Sequence, residues 1–171
     1  MKKLTFLILI IFVSNLAALK IPPLKSHVND NAKILSSQQI SNLENYLTQF
    51  ENASSVQIAV LTIKSLQGEN LEDYSMRVAE AWQLGQKEKD NGILLLITMQ
   101  EKKIRIEVGY GLEGTLTDAK SGYIIRNYIL PEFKKGDFFR GIASGVEAVT
   151  GVLANEIVIT DQQIAQSRKD E

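Results

Sequence analysis

The run ILLLITM at residues 93–99 limits this chain more than any other stretch in it. It is far too short to span a bilayer, which takes about 20 apolar residues, and it has no polar face. Both of its sides need covering, as in a central strand of an α/β sheet. QEKK then makes a tight connection. In IRIEV, Ile104, Ile106 and Val108 share one face and Arg105 and Glu107 the other, so this is a strand returning antiparallel. Upstream, VQIAVLTI (56–63) reads as a second buried strand. Leu71, Tyr74, Val78, Ala81 and Trp82 mark a helix between the two, ended by Gly85. That β-α-β unit implies parallel strands joined by a right-handed crossover.

The other helices announce themselves by their caps. Ser36 and Gln39 form a capping box ahead of Ile40, Leu43, Leu47 and Phe50, which predicts a helix over 37–51. Thr117 caps a third helix through Tyr128, closed by Pro131. Asp137 caps a fourth, whose apolar stripe is Phe139, Ile142, Val146, Val149 and Leu153. Gly141, Ala143 and Gly145 allow close packing there. The order is α-β-α-β-β-α-α. The expected class is α/β, a three-layer α/β/α sandwich with a small mixed sheet.

The chain ends read differently. MKK, then LTFLILIIFV, then SNLAA has the layout of a secretory signal peptide, cleaved after Ala17 or Ala18, with an uncleaved N-terminal membrane anchor as the less favoured alternative. The expected division is a signal peptide at 1–19, a linker at 20–35 containing Pro22 and Pro23, a domain at 36–156 and a polar tail at 157–171. The place is the periplasm or the outside of the cell. With no cysteine there are no disulfides, thiol nucleophiles or thiolate metal sites. A net charge of −1 offers no basic field to nucleic acid.

GYGLEGTLTD, residues 109–118, raises the question of a nucleotide. Gly109, Gly111 and Gly114 fit G-x-G-x-x-G, but a dinucleotide fingerprint must open a helix directly after the first strand of a βαβ unit. Here the glycines follow the return strand of a hairpin. The phosphate-binding loop fails too, since Thr115 and Leu116 stand where Lys and Ser or Thr belong. No nucleotide is expected. Pairing the hairpin about residues 101–102 sets Val108 opposite Leu95 and Gly111 opposite Gly92, and a slip of one or two residues would leave the same loops at that end of the sheet. KDNG and GYGLEGTLTD then form one rim at the end of the sheet. It carries Asp90, Asn91, Glu113 and Asp118, with Thr115 and Thr117. Carboxylates gathered there repel one another unless a hard cation neutralises them, and calcium takes six to eight oxygen ligands. The residue types leave a second reading equally open, in which Asp90-Asn91-Gly92 is a turn, Asp118 a first-turn helix charge and Glu113 solvated. Zinc and a Ser-His-Asp triad are disfavoured, because the single histidine, His27, falls in the linker.

Three segments, VNDNAKILS, KDNGILLLIT and RIEVGYGLEGTLTDAKSGYIIRNYILPEFKKGDFFRGI, resemble the TPM domain family, over about residues 27–155. The family takes its name from a thylakoid-lumen acid phosphatase, a photosystem II repair protein and an acetylcholine-receptor modulator. The resemblance implies an α/β/α sandwich in an exported, often membrane-bound setting, and calcium binding in some members. The function expected on these grounds is a module that assembles or maintains a membrane-associated complex, with an envelope or membrane protein as partner. The alternative the resemblance raises is a metal-assisted acid phosphatase; from residue types alone, Arg105 and Arg126 could bind phosphate in it, although single arginines more often are surface charges. Carried over by position, the acidic rim is Asp90, Glu113 and Asp118 with Asn91 beside them. Asp30, which also matches, is expected at the other end of the sheet as a cap. Many bacterial members carry a C-terminal membrane segment that this sequence lacks, which points to a soluble form.

Overall fold

The computed structural model describes residues 18–169. The expected signal segment lies almost wholly outside them. Four strands form one mixed sheet in the order β1-β2-β3-β4: β1 Val28–Asp30, β2 Gln57–Ile63, β3 Gly92–Thr98 and β4 Lys103–Val108. The first three are parallel, and β4 runs antiparallel to β3. Every residue of β3 is buried, as an unbroken apolar run requires. Ile93, Leu95 and Ile97 enter one core; Leu94 and Leu96 enter the other.

The second core is closed by α2, Leu71–Trp82, through Leu71, Tyr74, Val78 and Trp82, with Leu19, Ile21 and Leu24 packed beside it. The first is closed by α1, Ser37–Ser54, and by the helices after β4. This is the expected α/β sandwich. The Ser36–Gln39 capping box opens α1. β1, β2 and β3 step one way across the sheet while α1 and α2 cover opposite faces, so the two crossovers have opposite hands.

Four local features differ from the sequence reading. The stretch read as a linker contains β1, which pairs with β2 from Val28↔Val60. Three residues with two polar ones give too little alternation to read as a strand. The prolines lie just before it, where Trp82 Nε1 donates to the Pro22 carbonyl at 2.7 Å. Second, the hairpin register is moved by two residues, with Ile93↔Val108 and Leu95↔Ile106. Its connection is residues 99–102, ending in a left-handed Lys102 (φ 53°). An even shift keeps every side chain on its expected face.

Third, Pro131 does not close the helix that begins at Asp118. α3, Asp118–Ile124, passes into a π-turn at Ile125–Ile129 and on into α4, Leu130–Lys134. The widened turn gives the proline ring room that an α-turn would deny it. Fourth, the tail is ordered. After α5, Phe138–Leu153, a second capping box at Thr160 and Gln163 starts α6, Asp161–Ser167. Ile159 and Ile164 join the first core, and Arg126 donates to Ser167 Oγ from Nε at 3.2 Å and Nη2 at 3.1 Å.

Glu101 fastens the hairpin to the loop after β2: its Oε1 accepts from Ser65 Oγ at 2.7 Å and from Leu66 N at 3.0 Å. Burial pushes its pKa up, but hydrogen bonds from Ser65 and from backbone N–H groups outweigh that and hold it below the ordinary carboxylate value. The lowered pKa contributes stability above the unfolded value near 4.3 and loses it as pH falls through the folded value. Glu101→Gln should therefore flatten the acid limb of a stability–pH curve measured by urea unfolding. Ile164→Ala should cost about 2–5 kcal/mol by the same method. A loose tail would leave stability unchanged.

Candidate functional site

The glycines of the rim answer a packing need. Gly109 N donates to the Gly92 carbonyl at 2.8 Å, and Gly111 N to the Asp90 carbonyl at 3.1 Å. A Cβ on Gly109 would stand 2.2 Å from Asp90 O, and one on Gly111 would stand 1.9 Å from Lys89 O. On the other side, a Cβ on Gly92 would lie 2.3 Å from Leu84 O, and one on Gly85 would lie 2.4 Å from Gly92 N. Three backbone segments thus stack at contact distance: 84–85, 89–92 and 109–111. No side chain fits between them. Gly114 has nothing within 4 Å of its Cβ position, so it is free of that constraint. The 3-10 turn Tyr110–Leu112 caps the stack, and Tyr110 stands 80% exposed on it.

The expected rim acids are only partly brought together. Asn91 is buried: its Oδ1 accepts from Gln86 N at 2.7 Å, and its Nδ2 donates to the Ser55 carbonyl at 2.7 Å. Its side chain clamps two loops rather than facing solvent. Asp90 is exposed, in a left-handed conformation (φ 44°), beside a hollow formed with Gln83, Leu84 and Gln86. Glu113 and Asp118 line a different hollow of about 310 Å³, with Arg105, Glu107 and Thr117.

That second hollow contains a linked set of polar groups. Arg105 Nε donates to Glu107 Oε2 at 3.0 Å, and its Nη2 lies 3.9 Å from Asp118 Oδ1. Glu107 Oε2 also accepts from Ser75 Oγ on α2 at 2.7 Å. Burial works against the Arg105 charge, but Glu107 by hydrogen bond and charge, then Asp118 and Glu72, outweigh it and raise its pKa. Sequence reasoning placed Arg105 and Glu107 on one strand face, yet left Glu107 out of the site. Their i, i+2 spacing was the available signal; Ser75, from another element, gave none.

Calcium can be tested against these groups. Among the described residues, no three of His, Cys, Asp or Glu gather as metal ligands. Lys120 Nζ occupies the Thr115 carbonyl at 2.7 Å, and Arg105 faces Asp118. Of the four expected ligands, only Glu113 and Asp118 line one hollow, with Glu107 and the cation Arg105 beside them. Asp30 acts as the expected cap: its carboxylate accepts from Ile34 N at 3.2 Å and Leu35 N at 2.9 Å. His27 is half-buried, with Nδ1 3.0 Å from the Ile58 carbonyl and Nε2 3.2 Å from Glu51.

A family model described as TPM domain matches residues 28–152. The N-terminal domain of a protein from P. gingivalis, solved by NMR, is 34% identical, with a TM-score of 0.70 over 75% of this chain and 82% of that one. The BA42 protein of Bizionia argentinensis is 21% identical, with a TM-score of 0.62 over 75% and 88%. The N-terminal domain of the cg2496 protein of Corynebacterium glutamicum is 18% identical, with a TM-score of 0.59 over 79% and 86%. These last two share the fold. No curated protein matches.

The stack predicts unequal glycines. Gly111→Ala should destabilise by about 1–3 kcal/mol through overpacking, whereas Gly114→Ala should be neutral or stabilising by up to about 1 kcal/mol. Asn91→Ala should cost about 1–3 kcal/mol in calcium-free buffer, because it removes both hydrogen bonds made by a buried side chain. Urea unfolding of the three variants checks all of this. Equal effects at Gly111 and Gly114 would refute the packing account.

Proposed function

The chain belongs to the TPM domain family, and from that premise we propose an exported module that works by binding. Its role in this reading is the assembly or maintenance of a membrane-associated protein complex, and the glycine-backed rim is its recognition end. The observation that carries the reading is Tyr110: an aromatic ring 80% exposed, on a turn whose neighbours are hydrogen-bonded to the sheet backbone. Exposed aromatics recur as anchors at interfaces. One presented on fixed backbone loses little freedom on binding.

Calcium belongs to this reading as a cation shared with the partner. Glu113 and Asp118 would supply two ligands from the rim. The remaining oxygens of a six-to-eight-fold shell would come from water and from the partner. Alone, the protein should then bind calcium weakly, with a dissociation constant of about 0.1–1 mM, as extracellular modules do. The acid-phosphatase reading rests on the family resemblance and on Arg105 in the same hollow. Against it, that arginine is already engaged by Glu107 and faces Asp118, and Thr117 is spent as the cap of α3, accepting from Lys120 N at 3.3 Å.

Calorimetric titration with calcium should give weak binding that the double variant Glu113→Gln/Asp118→Asn abolishes. Tyr110→Ala should weaken capture of the partner from an envelope fraction without changing stability. Absence of heat at millimolar calcium would remove the cation from the reading. Turnover of a phosphomonoester, lost in Arg105→Ala, would replace the binding role with a hydrolytic one.

A further inference from the structure

The opposite end of the sheet has a cavity that the rim reading does not use. It measures about 500 Å³ and lies where β3 ends and the hairpin turns, against the corner between α4 and α5. Its apolar lining comes from Ile97, Met99 and Ile104 on the hairpin and Leu130, Phe133 and Phe138 on the helices. That volume falls within the 300–1,000 Å³ typical of small-molecule sites. Open α/β sheets place ligands outside the carboxyl ends of their strands, and this is the carboxyl end of β3.

Two features make it a built space. Leu130, Phe133 and Lys134 stand at i, i+3 and i+4 directly after the π-turn, so they share one helix face, and π-turns recur at functional positions. Phe133 and Phe138 meet edge to face at 5.1 Å. Gly141 leaves room behind Phe133, since a Cβ there would lie 2.4 Å from the ring.

The charges around the cavity have one sign. Lys102, Lys103 and Lys134 line it, no acidic residue does, and none of the three ammonium groups has an ion-pair partner among the described residues. Apolar walls under unpaired cations complement an apolar tail with an anionic head. We propose that this cavity binds a single-chain fatty-acid carboxylate, the acyl chain against Met99, Ile104 and Phe133 and the head group at Lys102 and Lys134. The proposal is independent of the rim, and of calcium.

The test uses dodecanoate below its micellar concentration, dodecanol and acetate, each titrated into the purified protein by calorimetry. Dodecanoate should bind one per chain, dodecanol at least tenfold more weakly, and acetate not at all. Lys102→Glu/Lys134→Glu changes only exposed side chains, so the fold should stand, as a thermal melt would check. It should weaken dodecanoate at least tenfold and leave dodecanol unchanged. Ile104→Trp, which fills the cavity, should abolish both. No binding of dodecanoate, several equivalents per chain, or equal affinity for dodecanoate and dodecanol would each overturn the proposal.

Discussion

The close approach of three backbone segments at the start of β3 is the contact on which the rest of the molecule depends. Residues 84–85 end α2, residues 89–92 open β3, and residues 109–111 leave β4. They are in contact because each crossing point has only hydrogen where a Cβ would collide. The N–H groups of Gly109 and Gly111 are satisfied there by Gly92 and Asp90 carbonyls, so the approach closes with both donors bonded. Asn91 extends the same arrangement sideways, tying Gln86 and Ser55 to the strand. The glycine pattern that looks like a nucleotide loop is thus the joint that sets where α2, β3 and the 3-10 turn stand.

The joint also separates two chemically different ends. Beyond the glycines lies a polar rim, where Arg105, Glu107 and Asp118 are already engaged with one another and Tyr110 projects. The other end differs: at the carboxyl end of β3 the walls are aliphatic and aromatic, and the charges are lysines. β3 and β4 run between the two ends as a rigid pair, and each end is presented on fixed backbone.

What could be read from the sequence follows from how local each signal is. The buried strand β3, the returning β4 and the caps at Ser36, Thr117 and Asp137 are written in neighbouring residues, and each stands where it was expected. β1 was not legible because three residues paired to a strand thirty positions away carry almost no local pattern. The Thr160–Gln163 box was as strong as that at Ser36, but the polar residues after it masked the two isoleucines that dock α6. At the rim, strand pairing placed the loops at one end of the sheet, whereas side-chain direction was beyond reach. Asn91 turns inward to carbonyls and N–H groups that no spacing announces, and Asp90 faces a different hollow from Glu113 and Asp118.

The central claim is that the glycine stretch is welded to the sheet rather than held open for a ligand. Native-state amide hydrogen exchange of the Gly109 and Gly111 N–H groups tests it most directly. The account predicts that both exchange only with global unfolding, at the rate of Leu95 in β3 and far more slowly than Lys87 in the neighbouring exposed loop. Exchange of Gly111 as fast as Lys87 would contradict it, because the rim would then open independently of the sheet.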